Sequence, residues 1–309
     1  MQAVAVKVPT RATVPIRHDF TATMSAASLP GSSSVRAVRG LSWSMAAHRS
    51  IVLNGDLGSG KSTVARLLAE RLGIRRISVG DLYREMARER GLTALQLNRH
   101  AELDDKIDFY VDQLQKDIAA SGEQLIVDSR LAWFFFTDAL KVHIIADPRV
   151  AALRALSRPG DTVESYATVA EAITRIAERS ESERARFLAR YGADKTLWTN
   201  YDLVLDSTSA SPAEIADHIE AAYRDPQPGT RIFLDPRRLP GFDLDPSNDP
   251  ALAGALIAAG EPGAATLPEG LVAVGGQRRV ADAVRAGETL IEVRLTAGAV
   301  APVVLGPSL

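Results

Sequence analysis

The stretch NGDLGSGKSTVARLL, Asn54 to Leu68, constrains this chain more than any other. Gly55, Gly60, Lys61 and Ser62 fill every fixed slot of a G-x-x-x-x-G-K-[ST] loop. The apolar run Ile51-Val52-Leu53 precedes it, and Val64, Leu67, Leu68 and Leu72 follow at helical spacing and stop at Gly73. Strand, glycine loop and helix in that order predict a phosphate cradle. Glycines at 55, 58 and 60 let backbone N–H groups turn toward an anion, and the helix adds its positive end. Gly55, Gly58, Ser59, Gly60, Lys61, Ser62 and Thr63 are therefore the candidate ATP-binding residues, with Lys61 reaching the β- and γ-phosphates and the Ser62 hydroxyl ligating Mg²⁺.

From about residue 49 to 224 the loop is embedded in an alternation of β-rich runs and helical patterns. The expected strands are Ile51–Asn54, Arg76–Val79, Gln124–Asp128, Leu140–Ala146 and Asp202–Asp206. That alternation predicts an α/β fold, a parallel five-stranded sheet with helices on both faces. Ile107, Tyr110, Val111, Leu114 and Ile118 mark one covering helix, Asp147-Pro148 opens another, and Ser211-Pro212-x-Glu214 is a capping box opening a third. Residues 1–48 hold Lys7, Arg11, Arg17, Arg36 and Arg39 against the single acid Asp19, with no helical or strand period, and predict a disordered arm. A transit peptide, an ordinary tail, and sequence upstream of a true start near Met45 all fit that composition.

In a parallel sheet the ligand crevice lies outside the carboxyl ends of the strands. Asp81 and Arg84, in ISVGDLYREM, fall at one such end, and Asp128 and Arg130, in VDSRLAWF, at another. An arginine there can fork a phosphate with two parallel hydrogen bonds. Asp81, Arg84 and Arg130 are thus the candidate acceptor residues, against the alternative of a helix cap and solvated arginines.

Residues 142–194 hold eight arginines and no lysine. Stepping about 100° per residue along a helix over 169–191 puts Arg179, Arg186 and Arg190 about 40°, 20° and 60° from Arg175, one stripe that excludes Arg184. The stripe borders an apolar face of Val169, Ile173, Ile176, Phe187, Leu188 and Tyr191. Charged helix faces are commonly just solvated, yet arginine used to the exclusion of lysine favours phosphate clamping, and Arg179 and Arg186 are the candidate catalytic partners of Lys61.

Together these residues resemble the nucleoside monophosphate kinases, most closely the archaeal-type cytidylate kinases and their bacterial relatives. The similarity runs from about Arg49 to Tyr223 through GDLGSGKSTVARLLAERLG, ISVGDLYREMARERGL, VDSRLAW and RSESERARFLARYGADKTLWTNYDLVLDS. The resemblance implies a P-loop core, an Arg-bearing helical lid, Lys61 and Ser62 at ATP–Mg²⁺, and Asp81, Arg84 and Arg130 at a nucleoside monophosphate, with CMP or dCMP favoured. Ser180 stands where the family often has an acid, Phe187 where it has Tyr, and DSR where Gly usually precedes the Arg.

After Arg224 the texture changes, since ten of the sixteen prolines fall in 225–309. RDPQPGT reads as a linker to a small α+β C-terminal domain. IFLDPRRL, a helical DPALAGALIAAGE and GLVAVGGQRRVADAVRAGETLIEVRL resemble the ParB-like, sulfiredoxin-related domain. That resemblance implies a second nucleotide site at Arg278 and Arg279, or contact with nucleic acid; sulfiredoxin chemistry is excluded because the chain has no cysteine. A formal charge of −2 argues against a globally basic nucleic-acid binder, and zero cysteines exclude thiol catalysis and suit a reducing, cytoplasmic setting. Two rivals to the kinase remain: a P-loop kinase of another small acceptor, and a nucleotide-sensing regulator acting through the C-terminal domain.

Overall fold

The computed structural model describes residues 49–92, 106–157, 166–239, 255–258, 272–275 and 277–296, and all of these fall in one compact unit. The expected arm over 1–48 lies outside them. The chain runs β1 (Ile51–Asn54), α1 (Lys61–Leu72), β2 (Arg76–Ser78), α2 (Val79–Glu89), α3 (Lys106–Ala120), β3 (Ile126–Asp128), α4 (Ala132–Phe135) and β4 (Leu140–Ile145). It continues through α5 (Pro148–Leu156), α6 (Val169–Tyr191), β5 (Leu203–Asp206), α7 (Pro212–Arg224), β6 (Arg231–Leu234), β7 (Ala255–Ala258), β8 (Val272–Gly275), α8 (Gln277–Ala286) and β9 (Ile291–Thr296).

The five expected strands form within a residue or two of their expected bounds, and they stand in the order β2-β3-β1-β4-β5, all parallel. The strand order reverses beside β1, so the loop after β1 opens into the crevice where α/β sheets bind ligands. Alternation along β1 explains why both faces are covered: Ile51 and Leu53 pack with Val64, Leu68, Ile215 and Ile219 of α1 and α7, whereas Val52 faces Val127, Val204 and Trp133.

Local chemistry sets the helix ends as expected. Gly73 closes α1 at φ 66°, Asp147 accepts from Arg149 N and Val150 N ahead of Pro148, and Ser211 and Glu214 cap α7 reciprocally. Elsewhere the structure differs from expectation. The inward side of α3 is mixed: Val111 and Ile118 pack against core clusters as expected, Tyr110 is 59% exposed, and Asp112 and Gln115 are buried because Tyr191 and Ser129 hydrogen-bond to them. The segment DPALAGALIAAGE contains a strand, β7, where a helix was expected; its Ala-Leu-Ile-Ala core pairs with both β8 and β9, and tertiary pairing overrides the helical propensity of alanine.

The sheet does not end at β5. β6 adds in parallel beside it, β9 pairs antiparallel with β6, and the order continues β7-β8, so nine strands are joined among the described residues. Val280 and Ala283 of α8 share a buried cluster with Ile232, Leu234, Val204 and Trp133. The segment after Arg224 is therefore built onto the same sheet and core as the P-loop.

Candidate active site

The loop has the backbone that its glycines allow. Gly58 and Gly60 adopt φ 81° and 84°. A Cβ on Gly58 would come within 2.2 Å of the Ala151 carbonyl oxygen, so the loop packs directly on α5 and tolerates no side chain there. Lys61 and Ser62 begin α1, whose N-cap is Gly60. The Lys61 Nζ lies 3.5 Å from Oδ1 of Asp128, which ends β3 and is 4% exposed. Arg76 bridges outward, 3.7 Å from the other Asp128 oxygen and 2.9 Å from Asp81.

A second group of charges closes on the loop from α6. Asp56, inside the loop, accepts from the Lys195 ammonium and the Ser180 hydroxyl, each at 2.9 Å. Glu183, buried on α6, pairs closely with Arg130, with Arg179 at 3.2 Å and with Lys195 at 3.4 Å. Burial pushes the Lys61 and Lys195 ammonium groups and the Arg130 guanidinium down; the carboxylates of Asp56 and Asp128 oppose it, and repulsion from the neighbouring cations adds a smaller push in the same direction as burial. Burial alone would raise the Asp56 carboxyl, but Lys195, Arg130 and Ser180 hold it well below the usual carboxylate range. Lys61, Arg130, Arg179 and Lys195 thus stand close together with Asp56, Asp128 and Glu183 as their counter-charges.

Beneath the loop, Asn54 donates to Nδ1 of His143 at 2.9 Å and to the Tyr201 hydroxyl at 2.5 Å, and Tyr201 donates to the Lys195 carbonyl at 2.7 Å. His143 stacks on Tyr201, and burial lowers its pKa to about 4, so it is neutral and accepts through Nδ1. This chain of contacts ties the end of β1 to the backbone carrying Lys195.

The expected site residues divide clearly. Gly55, Gly58, Ser59, Gly60, Lys61 and Ser62 form the loop, Thr63 follows in α1, and Arg130 and Arg179 converge beside it. Arg186 lies close enough to oppose the charge on Arg130 and is half-buried. Arg175, paired with Glu178, and Arg190 point outward, so only the Arg179–Arg186 half of the stripe faces the loop. Asp81 and Arg84 pair with one another at the rim, each about half exposed. Ser78, not Asp81, caps α2. Arg279 forks Glu288 at 2.6–2.7 Å and Arg278 lies 4.0 Å from Asp282, so both C-terminal arginines already face carboxylates.

Sequence reading missed Asp56, Arg76, Glu183 and Lys195. An acid inside a phosphate loop was a visible signal. Lys195 stands one residue beyond the lysine-free arginine run, where a composition argument loses sight of it.

A parallel sheet with a G-x-x-x-x-G-K-S loop at its switch point, faced by an arginine-bearing helix, defines a P-loop kinase. The AAA domain family matches residues 51–188. The cytidylate kinase of Archaeoglobus fulgidus is 39% identical over 160 residues, covering 52% of this chain and 86% of the relative. That of Natronomonas pharaonis is 39% identical over 56% of this chain and 88% of its own, and that of Haloquadratum walsbyi 35% over 63% and 97%. Among solved structures, a shikimate kinase from Bacteroides thetaiotaomicron aligns at TM-score 0.42 and 15% identity over 56% of this chain and 95% of its own. The chain belongs to the cytidylate kinase family and is a nucleoside monophosphate kinase that uses ATP. Among the described residues no helix is long and apolar enough to cross a membrane.

Proposed function

We propose that this enzyme transfers the γ-phosphoryl group of ATP to CMP or dCMP in the cytoplasm, giving the diphosphate and ADP. The observation that carries the reading is the convergence of Lys61, Arg130, Arg179 and Lys195 on one glycine loop, in a chain whose similar relatives are cytidylate kinases. Phosphoryl transfer demands little covalent chemistry from a protein; positioning and charge neutralisation suffice.

In this reading the backbone N–H groups of the loop and Lys61 hold the β- and γ-phosphates. Arg179 and Arg186 neutralise the transferring group. Arg130, Arg84 and Asp81 hold the acceptor, and an acceptor phosphate would compete with Glu183 for Arg130. The donors for Mg²⁺ fit a hard cation: the Ser62 hydroxyl begins α1, and Oδ2 of Asp128 is buried without a hydrogen bond. Bound there, Mg²⁺ would neutralise phosphate charge. Closure of α6 over the substrates would exclude water and suppress idle ATP hydrolysis.

On the ParB-like reading of the C-terminal region, Arg278 and Arg279 are its anion-binding candidates, although its expected helix DPALAGALIAAGE contains β7 instead. Binding of a second nucleotide or of nucleic acid there would require them to exchange Glu288 and Asp282 for phosphate. Release of ADP measured across CMP, dCMP, UMP, AMP and ATP alone tests the acceptor, with CMP or dCMP expected to stimulate it most. Equal stimulation by every nucleotide would leave the kinase but remove its pyrimidine selectivity.

A further inference from the structure

The phosphate loop is held from behind by the turn that follows β5. The Ser207 hydroxyl faces two carbonyls, that of Ser59 at 2.8 Å and that of Ile145 at 3.0 Å, and donates to the nearer one. Arg154 spans 3.4 Å to the Gly58 carbonyl, 3.1 Å to the Ser207 hydroxyl and 2.7 Å to the Ser207 carbonyl. A trans peptide is planar, with its C=O and N–H pointing opposite ways. Pinning the Ser59 C=O toward Ser207 therefore aims the Gly60 N–H away from the turn.

The turn is itself organised by Asp206, which has no exposed surface. Its Oδ1 accepts from the Thr208 N–H at 3.0 Å and the Thr208 hydroxyl at 2.6 Å. Its Oδ2 accepts from the Arg238 guanidinium at 2.7 Å and from the Asp235 N–H at 3.3 Å. The same Arg238 nitrogen lies 3.1 Å from the Thr208 hydroxyl, which also accepts from the Asp147 N–H at 2.8 Å. Arg238 is mostly buried and lies in the Pro236–Arg238 turn after β6, beyond residue 188 where the AAA domain match ends. A fully buried carboxylate needs a partnered charge, and the C-terminal segment supplies it.

We infer that Arg238 is a positioning residue for ATP: through Asp206, Thr208 and Ser207 it fixes the phosphate loop, so the C-terminal segment completes the nucleotide site of the kinase. This rests on the loop being the ATP site. The test uses the full chain with a fluorescent ATP analogue, titrated into wild type, Arg238→Met, Arg238→Lys and the Asp206→Asn/Arg238→Met pair, with CMP turnover measured in parallel. Arg238→Met is expected to weaken ATP binding about tenfold, equivalent to about 1.4 kcal/mol. Its KM for CMP stays near the wild-type value, Arg238→Lys recovers part of the loss, and the double variant recovers part by removing the stranded carboxylate. A folded Arg238→Met protein that is less stable yet binds ATP like wild type would overturn the inference. Should Arg238→Met not fold, the other two carry the test, and wild-type ATP affinity in both would overturn it. Absence of acceptor turnover in wild type with ATP binding intact would instead strike the kinase reading.

Discussion

Lys195 is the hinge of the charge cluster, and Lys195→Met removes its charge while keeping an unbranched side chain one atom shorter. Its ammonium lies 2.9 Å from Asp56 and 3.4 Å from Glu183, with the side chain 4% exposed. At an effective dielectric of about 20 these contacts amount to gross attractions of about 6 and about 5 kcal/mol. Most of that is offset, because burial and Arg130 push the Lys195 pKa down even as Lys195 holds the Asp56 carboxyl down. The two partners thus pull the net value in opposite directions. Since Met also removes the cost of burying the ammonium, the expected loss lies at the lower end of the range for broken buried pairs, about 3 kcal/mol. That lowers Tm by roughly 6–12 °C for a unit of this size. Urea unfolding of wild type, Lys195→Met, Asp56→Asn and the double variant measures it, with a coupling of at least about 1 kcal/mol expected between the two sites. Because the folded Asp56 pKa lies below its ordinary 3.8, its stabilisation is complete above about pH 4 and is lost as pH falls below that. The wild-type advantage should therefore shrink toward acid pH. Additive single variants, or a pH-independent gap, would show that Lys195 and Asp56 are not coupled.

Other outcomes follow from the same geometry. Lys61→Ala and Arg130→Ala should each lose at least about 10²-fold in turnover with ATP and CMP, the scale for removing one preorganised charge-stabilising group; wild-type rates would take that residue out of the site. Gly58→Ala should cost at least about 2 kcal/mol, because its φ of 81° and a contact of 2.2 Å with the Ala151 carbonyl leave no room for a methyl group. Thermal melts of that variant check it. His143 has a folded pKa near 4 against 6.5 when unfolded, so its contribution is present above about pH 6.5 and fades toward pH 4. That is worth about 3 kcal/mol, and His143→Asn should flatten this part of the stability profile.

The core of the fold was legible because its signals are local. Glycine spacing, the Asp147-Pro148 start, the Ser211–Glu214 box and the period of Val169–Tyr191 each need only one segment, and each element formed where expected. Which arginines of α6 turn inward was not local: it depends on Glu183 being buried and on Asp56 reaching Ser180, contacts between residues more than a hundred positions apart in the second case. The burial of Asp112 and Gln115 beside the apolar stripe of α3 was hidden for a similar reason, since it depends on distant partners, Tyr191 and Ser129. Continuation of the sheet through β6 was hidden because a Pro-rich connection reads the same whether it leads to a new domain or to the next strand.

On the proposed function, the loop and its cations pass a phosphoryl group to a nucleoside monophosphate. Coupled ADP release with ATP, Mg²⁺ and each candidate acceptor tests it most directly. ADP formation should depend on CMP or dCMP and disappear in Lys61→Ala; ADP release that no nucleoside monophosphate stimulates would show that the loop does not serve such an acceptor.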